Sequence, residues 1–244
     1  MEGWEIPNAP TSIPNLKSAR SAAASDLVNA QVESVNIVGY QTIDLPTGYK
    51  MATWTFVPVG SDGTAIRLGD ITPANFSGDN GDMIQFFNLN GSGLVSNIVT
   101  YYEGYGWCDA STLEILDNMT VPIGTGMFIS SSQTDVAFTV AGEVALDSFQ
   151  LNVAAGYTVV GNSSPVAITL GDIVPANFSG DNGDMLQVFA PGGSVSAIIS
   201  YYSGYGWCDA STLEIMDDMV LNPGDAFFAS CSQSNASFAF PAVL

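Results

Sequence analysis

The chain has 244 residues, 47% of them hydrophobic, so it is long and apolar enough to bury a sizeable core. Its formal net charge is −20, from 24 Asp and Glu against 4 Lys and Arg, and it contains no histidine. These values exclude nucleic-acid binding through phosphate contacts, His-based triads and His-ligated zinc, and no apolar run is long enough for membrane insertion.

Residues 1–33 form an N-terminal arm that precedes the repeated part of the chain. Three prolines predict an extended first half, and the Ala- and Ser-rich second half predicts a short helix. Four apolar residues of the arm have no local core, and we expect them to contact a neighbouring subunit: Trp4, Ile6, Ile13 and Leu16. The opening residues lack the basic and apolar segments of a signal peptide, so we expect none here.

An internal duplication dominates the rest of the chain. Leu68–Met83 recurs at Leu170–Met185 with 15 of 16 positions identical. Tyr101–Leu116 recurs at Tyr201–Met216 with 14 of 16 identical. Two copies of about 100 residues predict two homologous domains rather than a solenoid.

Strand signals run through both copies. Alternating apolar residues are bounded by Gly, Pro, Asn and Asp turns, which is typical of strands and hairpins. The predicted strands are 35–45, 51–59, 83–88, 94–102, 127–131 and 136–141, then 149–153, 157–160, 185–189, 195–202, 226–229 and 237–240. A capping-box pattern from Ser111 to Glu114 adds one short helical turn. We predict an all-β fold of two tandem β-sandwich or barrel-like domains, at residues 34–142 and 143–244.

Several motifs of the first copy carry a family resemblance: an Asn-Ile-Val-Gly-Tyr strand, a Gly-Asp turn, a Gly-Trp pair, a Pro-x-Gly-x-Gly segment and a closing Ala-Gly-Glu-Val. In this order they resemble a group of uncharacterised secreted bacterial all-β repeat proteins. The resemblance covers residues 35–244. It implies a secreted β-repeat protein and no particular activity.

The Gly-Asp turn is the most functional-looking motif. It offers hard oxygen atoms in a Gly-rich loop, as Ca²⁺ prefers. The candidate ligands are Asp79, Asn80 and Asp82, with Asp181, Asn182 and Asp184 in the second copy. The alternative is a plain turn at Asn80-Gly81 whose acidic side chains are solvated. Calcium is therefore the one cofactor that we consider.

An aromatic cluster occurs once in each copy. Its members are Tyr101, Tyr105 and Trp107, and Tyr201, Tyr205 and Trp207. Aromatic faces of this kind stack on sugars or on a partner protein. The alternative is that they pack inside the domain, which alternation along a strand makes necessary for either Tyr101 or Tyr102.

The remaining chemistry does not indicate an enzyme. Paired carboxylates are the catalytic option left without histidine, but Glu103 is replaced by Ser203 in the second copy. Three cysteines leave at least one without an intramolecular partner, and the alternatives for Cys208 and Cys231 are a disulfide or buried thiols.

From these features we expect a non-catalytic structural protein, extracellular or at the cell surface, that self-assembles into a fibre or surface layer. The arm would add a strand to a neighbour's open sheet edge. Two alternatives stay open: a carbohydrate-binding or adhesion module that uses the aromatic clusters, and a virion decoration protein.

Overall fold

The computed structural model describes residues 38–57, 65–89, 95–144, 147–190 and 193–242. These residues form antiparallel strands and four 3₁₀ turns, so the predicted all-β fold is confirmed. Within them, no helix is long and apolar enough to cross a membrane. Contacts group residues 36–244 into one compact unit. The arm residues Trp4, Ile6, Ile13 and Leu16 lie outside the described part of the chain.

The first repeat contains eleven described strands. They are β1 (Val38–Leu45), β2 (Gly48–Ala52), β3 (Phe56–Val57), β4 (Ala65–Arg67), β5 (Ile71–Ala74), β6 (Met83–Phe87), β7 (Val95–Tyr102), β8 (Gly106–Asp109), β9 (Thr120–Pro122), β10 (Met127–Ser131) and β11 (Val136–Val144). Turns of 3₁₀ type occupy Leu68–Asp70 and Gly78–Asn80. The last strand, β11, extends two residues beyond the predicted domain boundary at residue 142.

The second repeat has the same order of elements, without a described counterpart of β3. Its strands are β12 (Phe149–Val153), β13 (Gly156–Gly161), β14 (Ile168–Thr169), β15 (Val174–Ala176), β16 (Met185–Phe189), β17 (Val195–Tyr202), β18 (Gly206–Asp209), β19 (Val220–Leu221), β20 (Ala226–Cys231) and β21 (Ala236–Phe240). Its 3₁₀ turns are Leu170–Asp172 and Gly180–Asn182.

Each repeat is a β-sandwich with its own core. A five-stranded sheet, β2-β10-β6-β7-β8 in the first repeat and β13-β20-β16-β17-β18 in the second, faces a smaller sheet built on β11 or β21. Buried residues alternate along β10 and β11, as a strand with one core-facing side requires. Trp107 and Phe138 meet edge-to-face between the first pair of sheets, with ring centroids 5.7 Å apart.

The two repeats join through reciprocal contacts. Ala52 forms a β-bridge with Asp225, and Thr125 forms one with Val160. The repeats are offset by 108 residues at Ala52 and by 100 residues at Thr125. Ala52 therefore corresponds to Val160, and Thr125 corresponds to Asp225. An interface in which matched residues exchange partners is isologous, so an approximate twofold axis relates the repeats.

Backbone bonds and aromatic rings strengthen this junction. Thr53 N donates to Gly224 O and, at the matched position, Gly161 N donates to Gly124 O, both at 2.9 Å. The rings of Phe128 and its counterpart Phe228 lie 5.8 Å apart. The strand predicted over 51–59 is divided between the end of β2 at Ala52 and β3 at Phe56–Val57, and Thr53 between them bonds across the junction.

Candidate interaction site

The Gly-Asp turn is held by a buried carboxylate. Asp82 is 1% exposed, and its two oxygens accept hydrogen bonds from Ser77 N at 3.0 Å and from Ser132 N at 2.7 Å. The Ser132 hydroxyl donates a third bond at 2.9 Å. Asp184 repeats the arrangement in the second copy with Ser179 N and Ser232 N. This carboxylate therefore ties the turn to the end of β10 or β20.

The other two candidate calcium ligands do not converge on Asp82. Asp79 and Asn80 are exposed, and Asp79 N donates to Ser77 Oγ at 3.2 Å inside a 3₁₀ turn. The counterparts Asp181 and Asn182 are exposed in the same way. Gly81 follows in the left-handed region at φ 78°, where glycine is favoured. Asp82 already accepts three hydrogen bonds, and calcium binding stays a prediction.

Across the described ranges, no group of three or more Asp, Glu, Cys or His side chains is placed to hold a metal ion. The three cysteines are free and buried, so Cys208 and Cys231 do not form a disulfide. Burial raises the pKa of Cys231 to about 12, with a smaller contribution from the Asp184 charge. These thiols behave as small apolar core residues.

The tryptophans of the aromatic clusters are part of the core, which corrects the prediction that they stack on a partner. Trp107 and Trp207 are each 1% exposed. The Trp107 indole N–H donates to Ile71 O at 3.3 Å, and Tyr101 meets its ring edge-to-face at 5.5 Å. Tyr201 and Trp207 repeat this contact at 5.3 Å. Because core packing uses both indole rings, Trp107 and Trp207 have no face left for a ligand, whereas Tyr101 and Tyr201 are half-buried.

Tyr105 and Tyr205 are the members of the clusters that reach solvent. They are 73% and 75% exposed, at the tips of the turns before β8 and β18. The structure therefore separates the predicted cluster into a buried tryptophan, a half-buried tyrosine that packs against it, and one exposed tyrosine per repeat.

An Asp-capped loop follows β8. Asp109 Oδ1 accepts bonds from the backbone N–H groups of Ser111 and Thr112 at 2.9 Å and from the Ser111 hydroxyl at 2.6 Å. These donors lower the pKa of Asp109, and of Asp209 in the second copy, to about 2. The loop is a hydrogen-bonded turn instead of the predicted helical turn, and its capping oxygen comes from Asp109 rather than Ser111.

The same loop holds apolar side chains in solvent. Leu113 has φ 61° and is 60% exposed, and Leu213 has φ 60° and is 63% exposed. A bulky residue in the left-handed region is a conformational outlier. Ile115 then forms a β-bridge with Cys108 along the outer edge of β8, and it is 59% exposed. Both copies keep this strained, exposed arrangement.

The register of the five-stranded sheet shows which side chains share its outer face, the face opposite the core. Met51 pairs with Phe128, Phe128 with Gln85, and Gln85 with Ile98. One row further along the strands, Thr100 pairs with Cys108, which bridges to Ile115. Directly paired residues lie on one face, so these side chains form one surface.

The second repeat must cover part of this outer face, since Phe128 contacts Phe189 and Phe228. The part formed by β7, β8 and Ile115 keeps its isoleucines exposed. We call Met83, Ile98 and Ile115 the first open strip, and Met185, Ile198 and Ile215 the second open strip. Ile98 and Ile198 are 38% and 40% exposed, and Ile115 and Ile215 are 59% and 63% exposed. Sequence reasoning missed these strips.

A cleft of about 250 Å³ lies at the junction of the repeats, between Lys50 and Met51 on one side and Phe189 and Phe227 on the other. Lys50 Nζ donates to Asp44 O at 2.8 Å. Burial lowers the pKa of Lys50, and the Asp225 and Asp44 charges partly offset that effect. The ammonium group is thus already engaged by the protein itself.

Comparisons with protein-family models, with curated proteins and with solved structures find no match for this chain.

Proposed function

We propose that the chain is a non-catalytic structural subunit that self-assembles into a fibre or layer, outside the cell or at its surface. The observation that supports this most is the reciprocal junction of the repeats. It holds two near-identical surfaces in a twofold relation on one chain. A subunit with two like contact surfaces is suited to build repeating assemblies.

The roles of the duplicated carboxylates agree with a structural protein. Asp82, Asp109 and Asp117 each accept hydrogen bonds from backbone N–H groups. Their counterparts Asp184 and Asp209 do the same. Carboxylates used in this way stabilise turns, whereas an acid–base pair must have its oxygens available to a substrate.

Composition also favours close packing between subunits through neutral surfaces. Charged residues make up 11% of the chain, and all four cations lie before Leu68. Contacts between copies must therefore depend on apolar burial and backbone pairing rather than on ion pairs. We propose that the arm, residues 1–33, supplies one such contact by docking on a neighbouring copy.

Electron microscopy of the purified full chain tests this function. The proposal predicts filaments or ordered layers, and particles of monomer size at every concentration would refute it. A chain lacking residues 1–33 tests the arm. It should stay folded by circular dichroism and form fewer or shorter assemblies, whereas unchanged assembly would remove the arm from the account.

A second candidate is a carbohydrate-binding or adhesion module. The exposure of Tyr105 and Tyr205 favours it, because an exposed aromatic ring can stack on a sugar face. The Tyr105→Ala/Tyr205→Ala variant should then lose glycan binding on an array. A Tyr40→Ala variant is the matched control, since Tyr40 is 78% exposed on another sheet. Equal binding by all three proteins would exclude this candidate.

A further inference from the structure

The strand residues that share the outer face of each five-stranded sheet are uncharged, and in the first repeat the Gly-Asp turn lies against Thr100 and the Asp117 carboxylate lies beside Gly106. Met83 pairs with Ser130 and lies in the same cross-strand row as Thr100. In the first repeat the strand residues on this face are Tyr49, Met51, Met83, Gln85, Ile98, Thr100, Cys108, Ile115, Phe128 and Ser130. None of them is acidic, although the chain carries 24 Asp and Glu. In the second repeat the corresponding residues are Tyr157, Val159, Met185, Gln187, Ile198, Ser200, Cys208, Ile215, Phe228 and Ser230, and none is charged.

Charge decides which kind of partner suits such a face. Two copies of a −20 chain repel each other wherever their acidic side chains approach. Apposing the strand residues of two such faces buries isoleucine and methionine side chains without placing a carboxylate among them. A strongly basic partner would instead require acidic side chains on the surface that it binds.

The open strips also continue an interface that the chain already uses. Phe128 and Phe228, on the same outer faces, meet across the junction at 5.8 Å. Ile98 lies on the same face, joined to Phe128 through Gln85 in one cross-strand row. This sheet face therefore already packs against a copy of itself within the chain.

Building on the proposed function, we propose that the open strips are its self-association surfaces, and that each strip pairs with an open strip of a second copy of this chain. Because the strips are near-identical in sequence, either strip of one chain can meet either strip of another. The approximate twofold axis places one strip in each half of the molecule. The strip contacts hold the assembly together and arm docking only reinforces it, so a chain with two strips polymerises, a chain with one forms dimers, and a chain with none stays monomeric.

Charge substitutions at the most exposed isoleucines test the number of strips directly. Ile115→Glu removes the first strip, and Ile115→Glu/Ile215→Glu removes both. A glutamate buried at a subunit contact should weaken that contact by about a hundredfold. Size-exclusion chromatography with light scattering should then give polymers for the natural chain, dimers for the single variant and monomers for the double variant.

The matched control is Val174→Glu/Val220→Glu. It makes the same change of −2 at residues that are 62% and 56% exposed on strands of other sheets, and it should assemble like the natural chain. Ile98→Glu/Ile198→Glu, on the neighbouring strands β7 and β17, is an independent pair that should also give monomers. Circular dichroism and melting temperature check that each variant is folded.

The outcomes separate this inference from the proposed function. If the natural chain assembles and the double variant assembles equally well, the strips are refuted and assembly through another surface, such as the arm, stands. A single variant that still forms long polymers also refutes strip-on-strip pairing. A natural chain that stays monomeric throughout refutes the proposed function and the inference with it.

Discussion

Replacing the buried carboxylate of Asp82 should destabilise the fold far more than replacing its exposed neighbour Asp79. Asp82→Ala removes an acceptor for three hydrogen bonds, of 3.0, 2.7 and 2.9 Å. It leaves the N–H groups of the half-buried Ser77 and of Ser132 without the carboxylate acceptor, whose own residue is 1% exposed. Each unsatisfied buried donor costs about 1–3 kcal/mol.

The Ser132 hydroxyl still has a hydrogen-bond acceptor in this variant, because it also donates to Asn80 O at 2.9 Å. The expected cost is therefore set by the two N–H groups, about 2–6 kcal/mol in the free energy of unfolding. In a chain of this size, that corresponds to a melting temperature lower by about 4–24 °C. Urea denaturation and calorimetry of Asp82→Ala measure both quantities.

Two companion variants sharpen this test. Asp79→Ala removes a carboxylate whose contact with Ser77 Oγ is 3.5 Å long, so it should cost less than about 0.5 kcal/mol. Asp184→Ala should cost slightly less than Asp82→Ala, since Asp184 has two backbone donors and no matching serine hydroxyl bond. If Asp82→Ala and Asp79→Ala destabilise equally, the assignment of Asp82 as a structural tie is wrong.

Three further predictions concern calcium, acid stability and the junction of the repeats. If the Gly-Asp turns bind Ca²⁺, added Ca²⁺ raises the melting temperature of the natural chain, and an Asp79→Ala/Asp181→Ala variant abolishes the rise; no rise in the natural chain rules calcium out. The pKa of Asp109 and Asp209 falls from 3.8 to about 2 on folding, so their stabilisation is full above about pH 4 and is lost as the pH drops towards 2. The melting-temperature difference between the natural chain and Asp109→Asn/Asp209→Asn should shrink over that interval, and a constant difference would contradict the assignment. Gly161→Ala places a Cβ 2.4 Å from Thr53 Cγ2 across the junction, so it should destabilise the chain by about 1–3 kcal/mol in urea, and an unchanged midpoint would show that the junction is loosely packed.

Alternation and duplication made the strands predictable. The strands predicted over 127–131, 149–153, 185–189 and 195–202 agree with β10, β12, β16 and β17 in both limits. The short strands β4, β5, β8 and β9 were not predicted, because three or four residues carry no recognisable period. The pairing partners of β4, β5 and β9 also lie far along the chain, as for Ile66 with Val121.

The site was only partly predictable for similar reasons. A tryptophan beside glycine and tyrosines looks the same in sequence whether it is buried or exposed. The β7–β8 pairing, which sets Trp107 opposite Tyr101, determines that it faces the core. The partner of Asp82, Ser132, is 50 residues away, and no local pattern connects them.

The junction and the strips depend on a contact between repeats that a sequence does not display. The duplication alone is compatible with independent domains on a linker. One signal was present in the sequence: Ile98, Leu113 and Ile115 are apolar in both copies, within or next to the most similar blocks. Their exposure, however, follows from the Asp109 loop and from the register of β7, β8 and Ile115.

Sedimentation velocity of the purified full chain, over a wide range of protein concentration and of added salt, tests self-association through uncharged faces most directly. Salt screens the repulsion between −20 chains and leaves apolar contacts in place. The account predicts that the sedimentation coefficient rises with protein concentration and rises further with salt. A single monomer boundary at every concentration, or assemblies that dissociate as salt is added, would contradict it.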